Sequence, residues 1–226
     1  MAGSNFDSFE KYIADTIYSG QTARLMLCNS ATWGRAAGMA DILATELAQI
    51  NGYTRSSVAL STSTYNTGNQ RAEVPQANFS FAASGSALSW NALVGILGGS
   101  ATANKVITAV DAGTDTFTCA NHGLSADDLI MVTVDAGGTI PAGVSATTLY
   151  YAVVASSNTF QLSTTSGGGS IVNVTSAGSG TIRLRYGNGR LVGFYSAGST
   201  QQIPDGGQLN VPTNIIQANI GYVSGV

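Results

Sequence analysis

From Ala101 to Tyr186 the sequence is a succession of short apolar segments, cut at regular intervals by Gly, Asn, Asp and Ser. The segments run Lys105 to Val110, Thr114 to Ala120, Asp128 to Val134, Leu149 to Ala155, Thr159 to Ser163, Ile171 to Val174 and Thr181 to Tyr186. Turn-forming groups connect them: Asp111-Ala112-Gly113, Gly137-Gly138, Ser156-Ser157-Asn158 and Gly167-Gly168-Gly169. Strand-length runs with turns at this spacing predict a small β-barrel or sandwich.

The flanks have a different texture. Phe6, Phe9, Ile13 and Ile17 fall at helix spacing, with Ser4 or Asn5 as cap and Gly20 as stop. Ala23 to Cys28 reads as a strand and Asn29 to Gly38 as a loop. A second helix is expected from Met39 or Ala40 to Ile50, with Ile42, Leu43, Leu47 and Ile50 on one face and Asn51-Gly52 as a left-handed terminator. Strands follow at Val58 to Leu60, Ala77 to Phe81 and Leu93 to Leu97, and Phe79 and Phe81 alternate with polar neighbours. Beyond the middle block, Gly189 to Tyr195 reads as the direct partner of Leu93 to Leu97, and Asp205-Gly206-Gly207 as a turn into Gln208 to Val211.

The expected fold is therefore mainly β. Residues 1–100 joined to 187–226 form a jelly-roll-like β-sandwich with two short helices, and 101–186 form a small barrel projecting as a knob. Hairpin tips are where an insertion costs least, because both ends stay close and the core is untouched. One continuous barrel is the alternative.

Charge narrows the partners. Only 9% of the residues are charged, about a third of the usual share, and Gly, Ser, Thr, Ala and Asn fill the gap. Such a surface is easily desolvated and suits stable contact with other proteins. The nine basic residues are scattered, and the only close set is Arg183, Arg185 and Arg190, expected on the solvated face of one strand and its turn. Nucleic-acid binding needs a concentrated basic patch, and none is present. No apolar stretch approaches a membrane span. The start, Met1 to Asn5, lacks the basic and apolar regions of a secretory signal, so Cys28 and Cys119 are expected as buried free thiols.

No enzyme is expected, and no cofactor or metal site. The chain holds one histidine, His122, which excludes histidine-rich metal sites; its ring is expected to hydrogen-bond locally or pack at a strand end. Asp127 and Asp128 read as turn caps, or at best as weak calcium ligands, and Asp7, Glu10 and Asp15 as an exposed helix face. Glu46 and Glu73 have no reason to converge as a glycosidase pair would. Gly95, Gly98 and Gly99 lack the Lys-Ser or Lys-Thr of a phosphate loop.

Asp115 to Thr118, then His122 to Asp128, Leu149 to Val153, Asn158 to Leu162 and Val174 to Thr181, taken in order, resemble a small β module recurrent in structural proteins of tailed bacteriophages. More loosely, Asn51 to Arg55, Phe79 to Phe81 and Leu191 to Phe194 are similar to small phage virion proteins. The resemblance implies a non-enzymatic virion component. A capsid decoration or cement protein on the head surface is favoured, packing as a homo-oligomer, preferably a trimer, against the major capsid protein. The alternative is a tail, neck or head-fibre component that binds host glycans or connects virion parts. The helix carrying Phe6, Phe9, Ile13 and Ile17 is the candidate docking element, or else covers the protein's own sheet. Trp33 and Tyr65, on polar loops, are candidate interface anchors or sugar-stacking aromatics.

Overall fold

The computed structural model describes residues 12, 15–33, 36–66, 71–74, 77–213 and 217–218. Helical turns occupy 15–18 and end at Gly20, which takes the left-handed φ of +72° expected of a stop. Five strands follow: β1 (Thr22–Cys28), β2 (Ser56–Ala59), β3 (Thr64–Asn66), β4 (Arg71–Glu73) and β5 (Ala77–Ala82). A helix, α1 (Met39–Thr45), lies between the first two. Next come β6 (Leu88–Leu97), β7 (Asn104–Ile107), β8 (Ala109–Asp111), β9 (Thr116–Thr118), β10 (Leu129–Val134) and β11 (Tyr150–Val154). The chain continues through β12 (Thr159–Ser163), β13 (Ile182–Tyr186), β14 (Arg190–Ile203), β15 (Gln208–Thr213) and β16 (Gln217–Ala218).

The protein is mainly β, with antiparallel sheets. One sheet has the order β14-β6-β1-β2, and smaller sheets pair β15 with β5 and β16 with β4 and β3. Strand alternation gives the four-stranded sheet two buried faces. Ala23, Leu25, Leu27, Leu93 and Leu97 turn to one side, against Phe79 and Phe81 of β5 and the partly buried Leu209 and Val211 of β15. Met26, Cys28, Val94 and Ile96 turn to the other, covered by Ile42 of α1 and by Trp33. This packing is consistent with a β-sandwich.

The pairing expected across the middle block is present. Arg190 lies opposite Leu97, Phe194 opposite Val94 and Tyr195 opposite Leu93. Further along, four residues of β14 (197–200) stand against one of β6, Asn91, whose side chain is hydrogen-bonded to the Thr200 hydroxyl. Past this wide bulge Leu88 and Trp90 join the core on the opposite side of the sheet from Ala92.

Strands β7 to β13 pair only with one another, in the order β7-β13-β10-β11-β12-β9-β8, around a separate core that includes Phe117, Ile130, Phe160, Leu162 and Leu184. Its two edge strands are consecutive: β7 pairs with β13, and after Thr108 the same segment pairs with β9 as β8. The sheet is therefore closed on itself. Ile171 to Val174, expected as a strand, forms only an isolated bridge, Ser163 to Ile171. Its Val172 N–H donates to Leu162 O, but its Val174 N–H donates to the Asp115 carboxylate, so the segment is tied at single points while burying both valines.

Helix α1 is also shorter than expected. Glu46 leaves it with extended dihedrals (φ −63°, ψ 140°), and the Leu47 N–H turns to Leu27 O. Ile50, expected on a buried helix face, is exposed, and Asn51-Gly52 forms a turn beyond the helix. The cause is the Glu46 side chain, which is drawn into the interior.

Candidate functional site

Two features stand out: an apolar sheet edge and a buried polar junction. The edge is β14, the outermost strand of its sheet, with no other described strand along its free side. Of its fourteen residues only Arg190 is charged. Val192 is 45% exposed, Phe194 54% and Tyr195 61%. Val192 is the extra residue of a bulge between Leu191 and Gly193, so it stands out of the ladder.

Trp33 flanks this edge. Its polar loop predicts exposure; instead it is half-buried against the Met26, Cys28 and Val94 cluster, its ring edge-on to Phe194 at 5.6 Å and 86°. The loop folds down because an indole buries more apolar area than any other side chain there can. Tyr65 lies on β3 opposite Ala72, in a strand rather than a loop. Of the proposed docking helix, Ile17 packs on the sandwich core, while Phe6, Phe9 and Ile13 lie outside the described residues. Asp15, expected on a solvated face, accepts from the backbone N–H and hydroxyl of Ser63 at 2.7 and 2.8 Å.

The junction is centred on Glu46 and Arg55, whose side chains are fully buried and joined by two hydrogen bonds of 2.7 Å. The Tyr53 hydroxyl donates to the same carboxylate at 3.0 Å and accepts from the Leu27 N–H. Burial alone would pull the Arg55 guanidinium down, but the adjacent Glu46 carboxylate outweighs it and holds it above its ordinary value. Arg55 also donates to Tyr186 O, at the end of β13, at 3.0 Å. From the opposite side Arg185 of β13 donates to Glu46 O at 2.8 Å and to the Thr133 hydroxyl at 2.8 Å. Burial lowers Arg185, whose contacts are neutral oxygens, although Glu46 offsets part of that cost.

Arg183 and Arg185 are thus buried, not the solvated pair expected from their spacing. They sit on a strand whose five residues are all buried, so water cannot serve them and the junction's acceptors must. Arg183 grips both oxygens of Asp135 at 2.7 and 2.8 Å. That hydrogen-bonded contact holds Asp135 below the usual carboxylate range. A folded pKa depressed in this way contributes stability above the unfolded value of about 3.9, and that contribution is lost as pH falls through the folded value. The melting-temperature gap between wild type and Asp135→Asn should accordingly be widest above about pH 5 and close on acidification. A gap independent of pH would contradict this assignment.

Beside the junction lies a polar cleft of about 450 Å3 whose lining includes Ser100, Thr102, Lys105, Asn121, Asp128 and Asn188. Its buried groups are satisfied internally. The Leu124 N–H donates to His122 Nδ1, so Nε2 carries the proton toward Ser156 O at 2.8 Å. This is the local bonding expected of the one histidine. Asp128 caps its turn, accepting from the Ser125 N–H, whereas Asp127, also expected as a turn cap, reaches across to accept from the Gly167 N–H. Among the described residues no three His, Cys, Asp or Glu side chains come together, and no helix is long and apolar enough to cross a membrane. Cys28 and Cys119 are buried and unpaired, as expected. Burial, with the Glu46 charge nearby, pushes the Cys28 thiol far up.

The closed sheet, the open edge and the junction find no counterpart by sequence: no model of a known protein family matches the chain, and a search of curated proteins returns no match.

Proposed function

We propose that this chain is a non-enzymatic structural component of a bacteriophage particle, a capsid decoration or cement protein that packs against copies of itself and the head. In this reading residues 1–100 and 187–226 are a jelly-roll-like sandwich, and 101–186 an inserted barrel. The observation that carries it is the β14 edge: fourteen residues with one charge, bearing Val192, Phe194 and Tyr195 in the open. β14 carries no lysine or proline to keep the edge solitary, and between its two bulges the stretch Gly193 to Ser196 stays in regular register with β6. The ordered phage-like landmarks between Asp115 and Thr181 support the setting, and the low charge of the whole chain supports extensive contact. Docking through β14 is preferred to docking through the N-terminal helix, because Ile17 is already engaged on the protein's own core.

The test is the copy number in purified virions, by quantitative mass spectrometry against the major capsid protein. A ratio near one per capsid subunit, or one trimer per local threefold, supports a cement role; a few dozen copies or fewer overturns it. In solution, Tyr195→Lys should convert the oligomer to monomer, read by light scattering. Its effect on stability should stay within about 0.5 kcal/mol, as for an exposed residue. A monomeric wild type would remove β14 as the self-association edge.

The polar cleft favours one second reading, a fibre or tail component that holds a host glycan. The hydroxyl of Thr102, the amide of Asn121 and the ammonium of Lys105 suit a polyhydroxy ligand. Binding of saccharides from the host surface, abolished by Asn121→Ala, would favour it.

A further inference from the structure

We infer that the closed seven-stranded sheet and the sandwich are a single rigid unit that unfolds in one step. Short connections, each pinned by a buried residue (Ala103 and Gly187), leave the closed sheet little freedom to swing as a knob. Residues 98–103 carry the chain from β6 to β7, ending at Ala103, which is fully buried in the sandwich core, and Asn104 begins the strand. Only residues 187–189 separate the end of β13 from the start of β14.

Across this boundary the polar groups are shared in both directions. Arg55 reaches Tyr186 O and Ser100 O, and Arg185 reaches Glu46 O. Asn104 accepts from the Gln49 N–H and from Arg183, and donates to Leu47 O. Gln49 in turn accepts from the Ala103 N–H at 3.0 Å. Parting the two sheets would take the Tyr186 carbonyl from Arg55 and the Glu46 carbonyl from Arg185, leaving both charged donors short of an acceptor. Tyr53, bonded to Glu46, belongs to the sandwich core, and Tyr186, whose carbonyl accepts from Arg55, to the other, so the junction is anchored in both cores. A hinge needs exposed, replaceable contacts; this boundary has buried, directional ones.

The two tryptophans supply the test, because Trp33 and Trp90 both pack on the sandwich side. Leu162 is fully buried in the other core, on β12, three strands away from β13. In the full chain, Leu162→Ala should lower the folded-to-unfolded ratio reported by tryptophan fluorescence by roughly a hundredfold. The urea midpoint from far-UV circular dichroism should move with it. Leu162→Val should shift both midpoints together by a smaller amount. An unmoved tryptophan midpoint with a second, earlier dichroism transition would overturn the inference. Should Leu162→Ala fail to fold, native tryptophan emission would overturn it and solvent-exposed emission would support it.

Discussion

Glu46→Gln is expected to destabilise the protein by about 3–5 kcal/mol, the loss typical of breaking a buried ion pair from one side. The glutamine has nearly the same volume and can still accept from the guanidinium, so packing barely changes. What disappears is the charge. Arg55, fully buried, would keep no carboxylate partner, and Arg185, which already relies on neutral oxygens, would lose the field that offsets its burial. For a domain whose whole stability is on the order of 5–15 kcal/mol, this removes a large fraction. Urea unfolding followed by tryptophan emission measures it. A loss under about 1 kcal/mol would mean that the pair contributes geometry and little energy.

The second large effect is at Gly99. Here the chain leaves β6 alongside its return toward β14, and a Cβ at this position would lie 1.8 Å from Asn188 O. The residue also has a φ of +75°. Gly99→Ala combines left-handed strain of about 1–3 kcal/mol with a clash that must push the two crossings apart, a further 1–3 kcal/mol or so. Gly98 is the internal control: its φ is +72°, and a Cβ there would meet nothing within 4 Å. Gly98→Ala should therefore show the backbone strain alone. Equal thermal shifts for the two variants would show that the crossing yields without cost.

Local pattern makes much of this fold readable, and long-range chemistry hides the rest. Phe79 and Phe81 announce their strand by alternation, and β14 can be matched to β6 because both carry an apolar run beside a glycine turn. Periodicity also predicts a helix to Ile50, and there it fails, because Glu46 has a partner nine residues on at Arg55 and another 139 residues on at Arg185. The same blindness puts Arg183 and Arg185 in solvent: alternating arginines on a strand look alike whether water or the acceptors of a distant segment await them. Trp33 sits among polar neighbours, yet it is half-buried on the cluster that holds Val94 and lies beside Phe194, and no local window contains either. At the edge, the low charge of β14 is visible in the sequence; its place as the last strand of its sheet is not.

The side-by-side crossing at Gly99 and Asn188 has a mechanical consequence. Tension applied along the strands of the four-stranded sheet, at opposite ends of β6 and β14, would load their ladder of hydrogen bonds in shear. The closed sheet joins that ladder at neighbouring points and is held to the sandwich beside it by the Arg55, Arg185 and Asn104 contacts, so its own pairings lie off the line of load until the ladder gives way. Load along the strands would thus be carried by the β6–β14 pair while the closed sheet keeps its shape.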